Sequence, residues 1–253
     1  MDFNALHHQP QPLLIANVWD ASSALAAAQA GYRALGTSSA AIAAMLGYED
    51  GEGISFDEQL YIVTRIRAVT NLPLSVDLEA GYSDTAQGIA KHIHRLAALG
   101  VVGINLEDSH VVNGVRQLDE AGEFADRLQQ LSQTCPGIFL NVRTDTFLLN
   151  TQDALRETLL RGRRYAASGA DGFFVPCVTR AEDIAAIARE IALPLNVMCM
   201  PGLADFATLA ELGVRRISMG NFVHGTLLTQ LKDRLHSIQT QGAFAGVFSH
   251  EGR

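Results

Sequence analysis

Acidic residues gather where short apolar runs end. Asp77-Leu78-Glu79 closes the run at 74–78, and Glu107-Asp108 follows the run at 101–106. Side chains two apart on a strand share a face, so Asp77 and Glu79 are expected on one side, with Glu107 at the end of the next run. Several carboxylates around one mouth repel unless a cation or proton sits among them. Hard oxygen ligands suit Mg2+ or Mn2+, and Mg2+ keeps several of its waters. Capping of helix N-termini accounts equally well for Asp108 or Asp145 taken singly, and poorly for Asp77, Glu79 and Glu107 together. These three are the candidate metal ligands.

Other candidates lie at the same kind of position. Arg143 ends the run at 138–142; its guanidinium would grip a carboxylate or phosphoryl group bidentately, or else neutralise the acids. Thr37-Ser38-Ser39 offers hydroxyls and backbone N–H groups for a carboxylate or oxyanion, and is also an ordinary helix cap. Trp19 and Asn196, near the ends of the first and seventh runs, count as further substrate contacts. His110 follows the acids in a long loop and reads either as a proton donor in a lid or as a solvated histidine. His224 lines the mouth or packs. The chain has two lysines, Lys91 and Lys232, both in helical stretches. Schiff-base chemistry needs a lysine inside the fold, so a metal is left to stabilise any enolate.

The elements that must position these residues alternate. Apolar runs at 13–18, 33–36, 74–78, 101–106, 138–142, 172–175, 195–198 and 216–219 are separated by stretches of helical spacing at 21–30, 56–69, 85–99, 120–133, 152–168, 180–191, 204–212 and 222–240. Such alternation implies a parallel sheet covered on both faces. Gly31, Gly100, Gly169 and Gly213 stand where four helices should stop. Eight units in 253 residues, no polar edge run and no GxGxxG after the first strand favour a (β/α)8 TIM barrel over an open sheet, as a single domain over residues 1–253. Enzymes of this fold carry their sites at the C-terminal strand ends, where the candidates lie. The segments 40–55 and 109–119 read as irregular.

Composition narrows the class. The net charge of −8 with no basic stripe excludes a nucleic-acid partner. No apolar stretch is long enough to span a membrane, residues 1–12 lack the pattern of a leader, and three cysteines without CxxC spacing suggest a reduced, cytoplasmic protein.

On these residues the chain resembles the isocitrate lyase/phosphoenolpyruvate mutase family. The similarity runs from Asn17-Val18-Trp19-Asp20 to Ser218-Met219-Gly220-Asn221. It rests on Gly36-Thr37-Ser38-Ser39, Gly47-Tyr48-Glu49-Asp50, Asp77-Leu78-Glu79-Ala80-Gly81-Tyr82, Leu106-Glu107-Asp108 and Val142-Arg143-Thr144-Asp145. The resemblance implies a barrel that binds Mg2+ and a 2-oxo acid or its enolate, and that cleaves or rearranges a C–C or P–C bond. It makes Asp77 the main metal ligand and sets Glu79, Glu107 and Asp50 around the metal's waters. Asp50 thereby joins Arg143 and His110 as a catalytic candidate, while Arg143 and residues 37–40 hold the substrate. It also implies a homo-oligomer, a dimer or a tetramer, whose last helix packs on or exchanges with a neighbour's. The chain departs from the family after Glu107-Asp108. Ser109-His110-Val111-Val112-Asn113-Gly114-Val115 replaces the Lys-Lys-Cys-Gly-His motif of the lyases, and Asn113 stands where the mutase and phosphonopyruvate hydrolase branch has lysine. The expected activity is a Mg2+-dependent carbon–carbon lyase or decarboxylase of a small, oxaloacetate-like 2-oxo dicarboxylic acid, through a metal-stabilised enolate. The alternatives are P–C bond chemistry and a non-catalytic 2-oxo-acid binding protein.

Overall fold

In the computed structural model, which describes residues 2–248, each of the eight apolar runs forms a parallel strand. The first is interrupted at Ile15, giving β1 (Leu13–Leu14) and β2 (Ala16–Val18). β1 pairs with the last strand, β11 (Val214–Ser218), and β2 pairs with β3 (Leu35–Thr37). The Ile15 N–H donates to Ile217 O at 2.9 Å across the interruption. The two ends of the strand order are thus halves of one segment, and the sheet closes as a (β/α)8 barrel without an open edge. Around the ring from β3 come β4 (Leu74–Asp77), β5 (Gly103–Glu107), β8 (Phe139–Arg143), β9 (Gly172–Phe174), β10 (Leu195–Met198) and then β11.

The return helices are α1 (Ala21–Gln29), α3 (Phe56–Arg67), α4 (Ala86–Ala98), α5 (Ala121–Thr134), α6 (Ala154–Ala167), α7 (Ala181–Glu190), α8 (Phe206–Glu211) and α9 (Phe222–Gln241). Each of the first seven turns an apolar stripe inward, as with Ile89, Ile93 and Leu96 of α4. The four glycines expected to stop helices, Gly31, Gly100, Gly169 and Gly213, have φ of +84°, +81°, +94° and +92°, the left-handed backbone that glycine adopts without a Cβ penalty. Unlike those inward-facing helices, α9 exposes Val223, Leu227, Leu228, Leu231 and Leu235. Among the described residues no helix is long and apolar enough to cross a membrane.

Two segments expected to be irregular are ordered. Residues 39–46 form α2 (Ser39–Leu46), started by Ser38, whose hydroxyl accepts from the Ala41 N–H. The alanine-rich composition favours this helix, and periodicity is hard to see in eight residues. Residues 109–118 form a hairpin of β6 (Ser109–Val112) and β7 (Val115–Leu118). Asn113 and Gly114 turn it with φ of +51° and +77°, the arrangement that Asn-Gly supplies in a two-residue hairpin turn.

The lumen below the mouth is polar. Asn141 donates to Asn105 and Asn196 at 2.8 and 3.0 Å, and Asn196 donates to Ser218 at 3.2 Å. Arg216 reaches across from β11 to Asn105 and Ser75. At the opposite end a 3-10 turn (Asn4–His8) closes the barrel, its His7 ring stacked 4.1 Å from Phe139; burial drives that imidazole down to about 3, so it is neutral.

Asp108 ties the site's strands to the outer layer. Fully buried, it accepts from Thr144, Arg161 and Tyr165 through one oxygen and from the Asp145 N–H through the other. Asp108→Ala removes the buried carboxylate from Arg161, leaving it only the part-exposed Glu157 carboxylate, which costs about 3 kcal/mol. Urea unfolding should show that loss, and a change below about 1 kcal/mol would show that Asp108 is not the strut.

Candidate active site

Asp77 ends β4 and points into a cavity of about 180 Å3 at the barrel mouth. One carboxylate oxygen accepts from the Ser39 hydroxyl at 2.9 Å; the other, Oδ1, is buried with no hydrogen-bond partner. The strand register sets Glu107 of β5 beside Arg143 of β8, and their carboxylate and Nη1 meet at 2.9 Å. Arg143 is fixed further by Asp145, which takes Nε at 2.6 Å and Nη2 at 3.1 Å. So Arg143 is a neutralising partner for the acids, and its guanidinium also lines the mouth. Burial pushes the Glu107 carboxyl upward, and Arg143 and Arg116 pull it back.

Glu79 lies elsewhere than the strand alternation implies. β4 stops at Asp77, and Glu79 takes φ +50°, so the two-residue period ends before it. Its oxygens accept from the Tyr82 hydroxyl at 2.8 Å and the Glu52 N–H at 2.5 Å. It lines a second, outer cavity of about 440 Å3, shared with Glu52, Glu107, His110, Arg116 and Asp119. Burial first, then the charge of Asp77, raises its carboxyl to about 7.

Asp50 stands at the rim of the mouth, half exposed, 3.5 Å from the Ser39 hydroxyl and 3.9 Å from Arg116; burial and Asp77 raise its carboxyl. Ser38 and Ser39 line the cavity. The Thr37 hydroxyl instead accepts from the Asp77 N–H at 2.8 Å and sets the strand end. Trp19 is buried edge-on against His224, 4.8 Å between rings, so the two histidine readings resolve to packing. Asn196 belongs to the polar lumen under the cavity. His110 sits on the hairpin with an exposed ring, Nδ1 2.5 Å from Asp119, at the outer cavity. His92 is half-buried and stacks on Phe56 at 3.9 Å.

Two arginines beside these residues are not evident from the sequence pattern. Arg116, on β7, reaches back to Glu107, to Ser109 at 2.9 Å and to Asp145 at 3.4 Å. Its signal was the Asn113-Gly114 pair, which folds residues 109–118 back on themselves. Arg216 is 1 % exposed, with Nε and Nη1 unpartnered, and burial lowers it to about 9 against the pull of Asp77. Its signal was a charge at an inward position of an apolar strand.

These residues fit a hard divalent ion in one way. Among the described residues no three His, Cys, Asp or Glu side chains form a ready inner shell. The mouth offers one buried carboxylate oxygen without a partner, Asp77 Oδ1, a costly state unless a cation meets it. With Asp50 and Glu107 near, that donor set suits an ion held by one carboxylate and several waters.

Because the folded protein holds the Glu79 proton between its ordinary 4.5 and about 7, the native state binds more protons than the unfolded state across that window. Stability of the metal-free protein therefore falls as pH rises through it. Glu79→Gln should flatten the slope in urea titrations at pH 5 and 7.5; an unchanged slope would remove Glu79 as its source.

The comparisons agree with this architecture. The family model described as phosphoenolpyruvate phosphomutase matches residues 3–239. An uncharacterised protein of Mycobacterium tuberculosis is 36 % identical over 221 residues, covering 87 % of this chain and 82 % of its own. Oxaloacetate decarboxylase of Pseudomonas fluorescens is 29 % identical over 249 residues, covering 94 % and 83 %. A crystal structure from Burkholderia cenocepacia, described provisionally as a phosphonomutase, superposes with a TM-score of 0.87 at 38 % identity over 92 % of this chain and 97 % of that one. In fold alone, a phosphonopyruvate hydrolase holding oxalate and Mg2+ matches with a TM-score of 0.87 at 19 % identity, covering 97 % and 88 %. The chain belongs to the isocitrate lyase/phosphoenolpyruvate mutase family of lyases and mutases.

Proposed function

We propose that the protein is a Mg2+-dependent carbon–carbon lyase or decarboxylase of a small, oxaloacetate-like 2-oxo dicarboxylic acid, with Mn2+ able to replace Mg2+. The observation that carries this reading is the unpartnered Asp77 Oδ1 in the same small cavity as the rigid Arg143 guanidinium. The similarity to the oxaloacetate decarboxylase of Pseudomonas fluorescens supports the substrate class.

When bound, the ion would polarise the 2-oxo group and offset the charge left by cleavage beside it. The chain's own residues then divide the rest. Asp77 would hold the ion, with Asp50 and Glu107 as the nearby carboxylates that would support it. Arg143, anchored through Asp145 and Glu107, binds and orients a substrate carboxylate. Ser38 supplies a hydroxyl donor at the cavity, while the Ser39 hydroxyl holds the Asp77 carboxylate. Leu148, Phe174, Pro176 and Met198 form the apolar side of the cavity and keep water from the cleaved bond. Loss of carbon dioxide needs no base to begin. For the closing protonation, Asp50 at the rim, its carboxyl raised, is nearer the cavity than His110, which faces the outer one.

The three unpaired cysteines suit a reducing, cytoplasmic setting. The apolar face of α9 supports assembly into a dimer or tetramer through that helix.

Asp77→Ala should keep the fold by circular dichroism and weaken Mg2+-dependent binding of oxaloacetate or pyruvate by at least about a hundredfold; unchanged affinity in calorimetry would refute the assignment. A panel of 2-oxo acids and phosphonates assayed with Mg2+ separates the activities. Phosphate release from phosphonopyruvate would favour P–C chemistry, the reading closer to the Burkholderia relative, and tight binding without product would favour a binding protein. Leu231→Glu with Leu235→Glu should shift sedimentation toward monomer; an unshifted assembly would place the interface elsewhere.

A further inference from the structure

Glu107 is held twice. Arg143 meets it from β8 at 2.9 Å, and Arg116 meets it from the hairpin. One guanidinium neutralises one carboxylate, and Arg143 is already locked by two contacts to Asp145. Arg116 is the partner that comes from outside the barrel's strands. Its hydrogen bonds all run through Nη1, while Nη2 stands 3.9 Å from Asp50. Its strand ends a hairpin whose tip valines, Val112 and Val115, are exposed. Arg116 therefore spans Asp50 and Glu107, two carboxylates that both feel the charge of Asp77. It lines the outer cavity, whereas Asp77, Asp50 and Arg143 line the inner one.

We propose that Arg116 is a positioning residue that acts as an internal counter-cation for the metal site: it neutralises Glu107 and Asp50, and a divalent ion at Asp77 competes with it for those carboxylates. This rests on the metal reading above and adds a competition to it. Two cations drawn to the same pair of carboxylates oppose each other, so each weakens the other's hold. Displacing Arg116 also cuts the link from β7 to Glu107, which couples ion binding to the hairpin and to the partition between the two cavities.

The test is Mn2+ binding by the full-length protein, followed by electron paramagnetic resonance without substrate, together with hydrogen exchange of residues 109–118. Arg116→Gln keeps Glu107 paired with Arg143. It should tighten Mn2+ by about tenfold or more, while Arg116→Lys, which keeps the charge, should stay near wild type. Mn2+ should raise exchange in the hairpin of the wild type, and Arg116→Gln should show raised exchange with or without Mn2+. A merely structural arginine would leave Mn2+ affinity unchanged or weaken it in Arg116→Gln, and either result overturns the proposal. If the wild type binds Mn2+ and Asp77→Ala does not, an unchanged Arg116→Gln sinks this inference alone. If neither the wild type nor Arg116→Gln binds Mn2+, the metal reading and this inference fall together.

Discussion

Negative charge at the barrel mouth has to be compensated, and most of what is distinctive in this molecule follows from that. Asp77, Glu107, Asp108 and Asp145 sit at or near the ends of adjacent strands, buried or nearly so. A buried carboxylate without a partner is among the most expensive things a fold can contain. Arg161 answers Asp108, and Arg143 answers Asp145 and Glu107 at once. Asp77 alone keeps an oxygen uncompensated by any hydrogen bond. The exception is placed where chemistry needs it, beside a cavity, on a strand end fixed by the Thr37 hydroxyl and by Gln59, which donates to the Asp77 carbonyl at 2.6 Å.

The lumen carries the same logic downward. Barrels of this class commonly fill their interior with branched apolar layers. Here asparagines and serines form a hydrogen-bonded layer, and Arg216 crosses it. A guanidinium with two unpartnered nitrogens below Asp77 lends the mouth positive potential from beneath without touching it. Rigid polar layers also hold the strand ends in register, which is what a site assembled from several separate strands requires.

The architecture was legible in the sequence because it is written in periodicity and punctuation. Every apolar run became a barrel strand, and Gly31, Gly100, Gly169 and Gly213 stop their helices by backbone conformation. Asp77, Glu107, Arg143, Ser38 and Ser39 could be placed because strand ends are where such a barrel gathers its residues. Direction was harder. The fate of Glu79 turned on one left-handed residue that ends the alternation, and the Thr37 hydroxyl went to a neighbouring backbone N–H rather than to the cavity. Trp19 and Asn196 stand near strand ends but serve the wall and the lumen. Arg116 was hidden for a different reason. Its place depends on a hairpin whose Asn-Gly turn was readable, but its partner across the site depends on where that hairpin lies in three dimensions.

The seam at Ile15 has a consequence for how the chain is made. The segment that opens the barrel is also the one on which the last strand must land, some two hundred residues later in the sequence. During synthesis the growing sheet carries two unmatched borders until β11 has left the ribosome, and only then does the ring shut. Closure of the ring therefore waits on the last strand, and every earlier pairing must form without it.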